Sequence, residues 1–253
     1  MARQALSRPR LSPQGLAYSL SFDGVSDRAA TVANAGFTGD DAISMIGTFK
    51  VTKLNVSTGA GLVVAGTLTA PTPGAGPVIA CIDGNQMQSP FIFGSNLNFY
   101  RFPVDEWVHV AVTYAGGTGG IFKVYINGTR IYTGAITGAA ADGPIGVGGA
   151  YVSGLGGYIY QKLKVASFAV YTDVLTETEI QENYANKTYP TDNAVGIYCF
   201  NEGSGTTIND YSGNGNHLQV TNGAPIWSST DIPVVARQTA SARQIASNRQ
   251  AVT

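Results

Sequence analysis

The sequence has little charge for its length, and this shortage narrows the kind of protein that it can encode. Charged residues make up 12% of the 253 residues, about half of the roughly 25% that is usual in soluble domains. Glycine takes part of their place, with 32 residues, together with threonine, serine and asparagine. This composition is typical of a turn-rich β-sandwich with a polar, weakly charged surface.

The sequence also lacks long apolar runs, and it has only two cysteines. Cys81 and Cys199 both lie in short apolar stretches, so we expect buried free thiols, with a disulfide between them as the alternative. No run approaches the roughly 18 apolar residues of a membrane span, and the N-terminal residues lack the apolar segment of a signal peptide. We therefore expect neither a membrane span nor a signal peptide.

Residue patterns that support catalysis are missing as well. His109 and His217 are the only histidines, and no nucleophile motif such as Gly-x-Ser-x-Gly accompanies them. Glycoside hydrolysis needs a pair of carboxylates, and no predicted strand carries acidic residues at alternating positions. His109 lies within a predicted strand, which favours a structural histidine over a catalytic base. The sequence therefore predicts a protein that is not an enzyme.

Strand patterns are what the sequence does contain. The clearest strand covers 107–114, which consists mostly of β-branched and aromatic residues. Both of its faces could be covered, which predicts an inner strand of a two-layer β protein. Asn127-Gly128 suits a type I′ turn and predicts a hairpin between 121–126 and 129–133. Thr176 and Glu179 form the capping box of one short helix. Further strands are predicted at 16–22, 42–51, 61–68, 78–82, 90–93, 145–147, 158–171, 195–201 and 217–221.

Five stretches of the sequence together resemble the laminin-G-like, concanavalin A-like jelly roll. The resemblance covers about residues 16–230 and implies an all-β fold, a two-sheet antiparallel jelly-roll sandwich with one short helix. One feature departs from the family pattern, because the Phe200–Gly205 segment comes last here, whereas in many relatives it precedes the Ser21–Gly24 strand. The five stretches are Leu20–Gly24, Trp107–Tyr114, Val124–Gly128, Val165–Ile180 and Phe200–Asn216.

Both ends of the chain differ from the body in charge. Six of the 15 basic residues lie in the ends, which hold no acidic residue, so the body retains nine basic against 16 acidic residues. We therefore expect an extended N-terminal arm (1–15), a jelly-roll domain (16–233) and an extended C-terminal arm (234–253). A six-residue phrase of the type Ala-Arg-Gln recurs along the C-terminal arm and occurs once near the N-terminus. Its arginines are Arg3, Arg237, Arg243 and Arg249.

Two interpretations of these arms remain open. A six-residue period does not follow one face of a helix, but in an extended chain it points every arginine the same way. The arms are either low-complexity disordered tails or extended segments whose arginines bind acidic groups on neighbouring subunits. Nucleic acid is disfavoured as a partner, because no aromatic residues are interleaved with the arginines. The second interpretation predicts a homo-oligomer or part of a larger assembly.

A glycine-rich loop near the end of the body carries a candidate metal site. Its oxygen-bearing side chains fall at every second position, as the ligands of a calcium loop do, and the resemblance implies a structural Ca²⁺ in such places. The alternative is that Asp, Asn and Gly occur here because tight turns favour them. The four candidate ligands are Asp210, Ser212, Asn214 and Asn216.

Tyrosines beside glycine-rich segments are candidates for a carbohydrate site. Their rings could stack on sugar rings, or they could belong to ordinary packing within the sandwich. The candidates are Tyr100, Tyr151, Tyr158 and Tyr160.

The resemblance, the weak charge and the basic arms lead to one main functional hypothesis. We expect a structural protein of a virion, from a bacteriophage, that serves as a capsid decoration or as a tail or fibre component. It would display a lectin-like domain and bind other virion proteins through both arms. The alternative is a carbohydrate-binding module for host or surface attachment, located extracellularly or at a cell surface.

Overall fold

A computed structural model describes residues 8–11, 16–37, 41–52, 60–65, 78–82, 86–87, 100–101, 103–117, 119–135, 142–152 and 157–233. In these ranges the chain forms twenty strands and one helix. They are β1 (Arg10–Leu11), β2 (Ser19–Asp23), β3 (Arg28–Asn34), β4 (Ile43–Val51), β5 (Ala60–Ala65), β6 (Val78–Ile82), β7 (Gln86–Met87), β8 (Tyr100–Arg101), β9 (Trp107–Tyr114), β10 (Ile121–Ile126), β11 (Thr129–Ala135), β12 (Pro144–Val147), β13 (Gly149–Val152), β14 (Gly157–Tyr160), β15 (Lys162–Tyr171), α1 (Glu177–Asn186), β16 (Tyr189–Pro190), β17 (Ala194–Tyr198), β18 (Thr207–Ile208), β19 (Leu218–Asn222) and β20 (Ile226–Ser228).

The strands form two large antiparallel sheets that pack face to face. Sheet I has the spatial order β11-β10-β9-β4-β15-β2-β20, and β17 pairs with the second half of β15, beyond the part that pairs with β2. Sheet II has the order β18-β19-β3-β12-β5-β6-β7-β8. Two short pairs, β1–β16 and β13–β14, stand apart from both sheets. The predicted all-β, two-sheet antiparallel sandwich with one short helix is confirmed.

The core between the sheets follows from the alternation along the inner strands. In β9, Val108, Val110, Val112 and Tyr114 point towards sheet II and are buried. Val112 lies opposite Met45 of β4, so neighbouring strands place apolar side chains side by side. Removing such surface from water contributes about 25 cal/mol per Å² of apolar area. The strand predicted over 107–114 is therefore an inner strand, as expected.

The hairpin between β10 and β11 also has the predicted geometry. Asn127 and Gly128 have φ values of 49° and 76°, which are the two positive φ angles that a type I′ turn requires. The Asn127 Oδ1 accepts a hydrogen bond from the backbone N–H of His109 at 3.0 Å. This bond ties the turn to the neighbouring strand β9.

The strand predicted over 158–171 is divided in two. Gln161 lies between β14 and β15, and its backbone N–H donates to the carbonyl of Gly148 at 2.9 Å. β14 leaves the plane of sheet I and pairs with β13, so that Tyr158 lies opposite Tyr151. The break moves Tyr158 and Tyr160 out of the sandwich layers and into a separate hairpin.

Helix α1 covers the outer face of sheet I. The predicted capping box is present: the Glu179 backbone N–H donates to Thr176 Oγ1 at 3.2 Å, and the Thr176 N–H donates to the Glu179 carboxylate at 2.8 Å. The buried Ile180 of this helix joins a second apolar cluster on the far side of sheet I from the main core. That cluster contains Ile46, Ala111, Tyr125, Ala169, Tyr171, Leu175, Ile180, Tyr189, Ala194, Ile197 and Cys199.

Part of the predicted N-terminal arm lies against this same face. Residues 8–11 are extended, and β1 pairs with β16. Leu11 packs against the second apolar cluster. Three ion pairs hold the segment, joining Arg8 to Asp173 and Glu179, and Arg10 to Glu182. Within the described residues, α1 is too short and too polar to cross a membrane.

Candidate functional site

Four polar and aromatic side chains from three distant segments meet beside sheet II. Arg28 begins β3 and Asn222 ends β19, and these two residues are direct register partners. Tyr158 and Tyr160 lie two positions apart on β14, which places them on one side of that strand. Arg28 precedes the core residue Ala29, so its side chain points away from the core. We call these four residues the tyrosine surface.

The contacts within the tyrosine surface are continuous. The Cζ of Arg28 lies 4.3 Å from the centroid of the Tyr158 ring, within cation–π range. The centroids of Tyr158 and Tyr160 are 6.1 Å apart, with an angle of 35° between the ring planes. The Asn222 Nδ2 donates to the Tyr160 hydroxyl at 3.3 Å. Tyr158 nevertheless keeps 43% of its surface exposed, so an aromatic surface remains open to a ligand.

The loop before β3 is held rigidly by Asp23. Its Oδ1 accepts hydrogen bonds from the backbone N–H groups of Val25, Ser26 and Asp27, at 2.8 to 2.9 Å. Desolvation alone would raise the pKa of Asp23, but the hydrogen bonds from Ser26, Asp27 and Val25 outweigh it and lower the pKa to about 2. The carboxylate therefore stays ionised and keeps the loop closed at neutral pH.

Asp27 links this loop to the end of β19. Its Oδ2 accepts from the N–H of Asp23 at 2.9 Å, and its Oδ1 accepts from the N–H of Ala224 at 2.7 Å. Gly223 has a φ of 76°, and a Cβ there would lie 2.0 Å from the Asp27 carboxylate. Glycine is required at 223 for both reasons. These bonds fix the relative positions of the strand ends that carry Arg28 and Asn222.

The other two predicted carbohydrate residues have different positions. Tyr151 is the register partner of Tyr158 on β13, and its side chain lies outside the described part of the structure. Tyr100 belongs to β8, and four strands separate β8 from β3 in sheet II. The side chain of Tyr100 is likewise outside the described residues. The structure therefore brings together Tyr158 and Tyr160, adds Arg28 and Asn222, and places the strand of Tyr100 at the far edge.

The four candidate calcium ligands do lie close together, but hydrogen bonds already engage the oxygens of Asp210 and Ser212. Asp210 Oδ1 accepts from the N–H groups of Ile197 and Ser212, at 3.0 and 2.8 Å. Asp210 Oδ2 accepts from the Ser212 hydroxyl at 2.8 Å and from the Asn216 N–H at 3.0 Å. The carboxylate thus accepts four bonds, which is about the number of its lone-pair sites.

The asparagines of this loop also serve the fold. The Asn214 Nδ2 donates to the carbonyl of Ala194 at 2.6 Å, and the Asn216 Nδ2 donates to that of Val195 at 2.7 Å. These bonds attach the loop to β17. No group of three or more His, Cys, Asp or Glu side chains suited to a metal ion occurs among the residues that the structure describes. A calcium ion would have to displace the bonds at Asp210, so the folded loop does not fit it, and the turn interpretation is favoured.

His109 is buried under α1. Its Nε2 lies 2.9 Å from Asn183 Oδ1, and since the Asn183 Nδ2 donates to the Thr188 carbonyl, the histidine is the donor. Desolvation and, to a smaller extent, the nearby Lys187 lower the pKa of His109, the bond to Asn183 opposes them, and the net pKa is about 3. A neutral imidazole that is sealed from solvent holds the helix in place and is not available to a substrate.

The remaining predicted residues are placed as follows. The His217 Nδ1 accepts the backbone N–H of Asp210 at 3.0 Å. Cys199 is a free, buried thiol, and burial raises its pKa to about 12; the side chain of Cys81 is outside the described residues. The arm arginines Arg3, Arg237, Arg243 and Arg249 also lie outside the described residues.

Sequence comparison supports this fold over the middle of the chain. A model of the concanavalin A-like lectin/glucanases superfamily matches residues 95–181, the stretch that contains β9, the β10–β11 hairpin and the start of α1. No curated protein matches the chain.

Solved structures resemble the chain over more of its length. A candidate carbohydrate-binding protein from Bacteroides ovatus has a TM-score of 0.62 and 15% sequence identity, over 86% of this chain. The chain spans 61% of that protein's length. A Trypanosoma rangeli sialidase in complex with sialic acid has a TM-score of 0.45 and 17% identity, over 57% of this chain and 23% of the sialidase. A heptameric SAP-like pentraxin from Limulus polyphemus has a TM-score of 0.46 and 13% identity, over 67% of this chain and 83% of the pentraxin. At such identities the similarity concerns the fold alone, and the fold of this chain is the concanavalin A-like jelly roll.

Proposed function

We propose that this protein binds carbohydrate through the tyrosine surface, without catalysing a reaction. The observation that carries the proposal is the meeting of Arg28, Tyr158, Tyr160 and Asn222 at one exposed place. Sugar rings have apolar faces that pack on aromatic rings, and their hydroxyl groups bond to amide and guanidinium groups. The name of the Bacteroides ovatus protein, a candidate carbohydrate-binding protein of the same fold, supports the proposal.

Preorganisation is a second argument for this site. Weak sugar binding is lost easily if side chains must be ordered on binding, since each immobilised side chain costs about 0.5–1.5 kcal/mol. Here the guanidinium already stacks on Tyr158, and the Asn222 amide already bonds to Tyr160. The loop bonds of Asp23 and Asp27 hold the strand ends beneath them. Little further ordering is needed when a sugar arrives.

A glycan array tests this proposal. We expect the full chain to bind a restricted set of oligosaccharides, and Tyr158→Ala to lose at least roughly tenfold in affinity, because a ring-stacking contact is removed. Tyr158→Phe keeps the ring and should keep most of the binding. The matched control is Tyr184→Ala, since Tyr184 on α1 is equally exposed, at 42%, on the opposite side of the molecule. Equal loss in Tyr158→Ala and Tyr184→Ala, or no binding to any glycan, contradicts the proposal.

A structural role in a virion is the second candidate function. The docked N-terminal segment favours it, because Arg8 and Arg10 bind carboxylates on the body, which is the type of contact proposed for the arms on neighbouring subunits. In this candidate the arm arginines bind the acidic bodies of adjacent virion proteins or of further copies of the chain. Deleting 234–253 should then abolish assembly while circular dichroism shows a folded body. Normal incorporation of the truncated protein into particles would exclude the anchoring role.

Calorimetry tests the calcium ion that the sequence predicts for the loop at 210–216. If the ion binds, isothermal calorimetry with CaCl₂ shows saturable heat, and the melting temperature rises through mass action. Asp210→Asn should abolish both effects. The hydrogen bonds to Asp210 lead us to expect no heat and no stabilisation.

A further inference from the structure

Arg28 differs from the other described arginine side chains in lacking a carboxylate partner. Arg8, Arg10 and Arg130 each form an ion pair with an aspartate or glutamate. Among the residues that the structure describes, no ion pair includes Arg28. Its nearest acidic neighbours in sequence, Asp23 and Asp27, direct their carboxylates to backbone N–H groups.

We propose that Arg28 makes the tyrosine surface selective for acidic glycans, by binding a carboxylate or sulfate group of a sugar that stacks on Tyr158. This inference rests on the proposed carbohydrate function and names its ligand class. A guanidinium carries five N–H donors in one plane and binds planar carboxylates and tetrahedral oxyanions through two parallel hydrogen bonds. Arg28 is partly exposed, and no described carboxylate balances its positive charge, so we expect its partner to be an anion.

The stacking geometry favours this mode of binding. The Cζ of Arg28 lies over the Tyr158 ring, 4.3 Å from its centroid, and the N–H groups of a guanidinium project outward from the edges of its plane. An acidic substituent can then bind at the edge while the sugar ring lies on the exposed part of Tyr158. Lysine could supply the charge but neither the plane nor the paired donors.

The other side chains of the tyrosine surface orient a sugar ring but carry no charge. Asn222 is the register partner of Arg28 and bonds to the Tyr160 hydroxyl, so it limits the space on one side of the guanidinium. Tyr160 lies beside Tyr158 and extends the aromatic area. These groups recognise a sugar ring of either charge state. Arg28 is the only one of these four residues that carries a charge, so we expect it to supply the discrimination between acidic and neutral glycans.

The test is a glycan array that contains matched pairs of oligosaccharides. Each pair has one member with a uronate, sialyl or sulfate group and one in which that group is esterified or removed. The full chain should bind acidic members roughly 10- to 100-fold more tightly than their neutral partners, since a charge-assisted hydrogen bond contributes about 1.5–3 kcal/mol. The preference should weaken between 50 mM and 500 mM NaCl.

Three variants separate this inference from the proposed function. Arg28→Gln should bind both members of each pair with equal affinity, and more weakly than the native chain binds the acidic member, while Arg28→Lys should keep part of the preference. Tyr158→Ala should lose both members. Thermal melting monitored by circular dichroism checks that each variant is folded.

The outcomes are distinguishable. If the native chain binds neutral members as tightly as acidic ones, or if Arg28→Gln keeps the acidic preference, the inference is wrong, although carbohydrate binding stands. If the native chain binds no oligosaccharide, the proposed function and the inference both fail.

Discussion

The two outer faces of the sandwich carry similar residue types, which are covered on one face and partly exposed on the other. On sheet I, α1 and the segment 8–11 bury a histidine and pair the arginines with carboxylates. Beside sheet II, Arg28 and Tyr158 contact each other but remain partly exposed. A covered polar group that has an internal hydrogen-bond partner contributes to stability. Exposed preorganised groups can instead bond to a ligand, so function is expected on the open face.

The covered face should be the more sensitive to truncation. Ile180→Ala removes a buried side chain between α1 and sheet I, and we expect it to lower the free energy of unfolding by about 2–5 kcal/mol. Urea denaturation measures this loss. Carbohydrate binding by the folded protein should be unchanged, because the tyrosine surface lies on the other side. A loss of binding in the folded variant would show that the two faces are coupled.

Acid should weaken the covered face through His109. The pKa of this imidazole is about 3 in the folded protein, against about 6.5 in the unfolded chain. The unfolded state therefore binds more protons between these values, and stability falls as the pH decreases from about 6.5 to 3, by roughly 3–5 kcal/mol in total.

His109→Gln provides the control for this pH dependence. Glutamine can donate to Asn183 but does not titrate, so the difference in stability between the two proteins should change with pH by the stated amount. Urea denaturation at intervals from pH 7 to pH 3 measures it. Parallel curves for the two proteins would show that His109 does not control the acid response.

A smaller effect is expected at the edge of the covered face. Asp231 accepts bonds from Lys50 at 3.0 Å and from Trp107 Nε1 at 3.2 Å, and it also pairs with Lys164. Desolvation would raise the pKa of Asp231, but the two lysines lower it. The stabilisation is thus present above the unfolded pKa and is lost as the pH falls through the lowered value.

Asp231→Asn should cost about 0.5–1 kcal/mol, because the three side chains are partly exposed and the pair is screened by solvent. It should also change the fluorescence of Trp107. The other tryptophan, Trp227, bonds to the Gly205 carbonyl, and replacing it with phenylalanine in both proteins leaves Trp107 as the only tryptophan that emits. An unchanged emission spectrum would argue against the bond between Trp107 and Asp231.

The smallest effect on stability is expected on the open face. Tyr158→Ala should change the free energy of unfolding by less than about 0.5 kcal/mol, as is usual for exposed positions, although it should abolish glycan binding. Comparison with Ile180→Ala in the same urea and glycan experiments tests the contrast directly. A large loss of stability in Tyr158→Ala would mean that the tyrosine surface is part of the scaffold.

Local patterns predicted the elements whose geometry depends on neighbouring residues. The Asn127-Gly128 turn, the capping box of α1 and the inner strand β9 all follow from residues close together in the chain. In contrast, β3 has no strong strand pattern, since Arg28–Asn34 contains three alanines and one β-branched apolar residue. It is a strand because β12 and β19 pair with it on both sides, and this pairing is not visible in its own sequence.

In the candidate site, too, some residues could be predicted from local sequence and others could not. Tyr158 and Tyr160 could be selected from the sequence as aromatic residues beside glycine. Arg28 and Asn222 were not predicted, because only the antiparallel register of β3 and β19 makes them neighbours. Similarly, the alternating oxygen-bearing side chains at 210–216 suggest calcium ligands, whereas in the folded loop Asp210 accepts bonds from the loop backbone and from β17, and Asn214 donates to β17 through its nitrogen. The same motif is compatible with a metal site or with a tight turn. Hydrogen-bond partners from distant segments determine which of the two the folded loop forms.

The sequence by itself determined that the chain forms a two-sheet β-sandwich, because alternation, turn residues and helix caps act over a few residues. It also showed that the ends are basic and the body acidic, which is a matter of composition. Only the tertiary structure decided which polar groups are covered and which are open. Burial and the pairing of charges depend on contacts between residues far apart in the chain, and these contacts seal His109 beneath α1 and leave Arg28 partly exposed beside Tyr158.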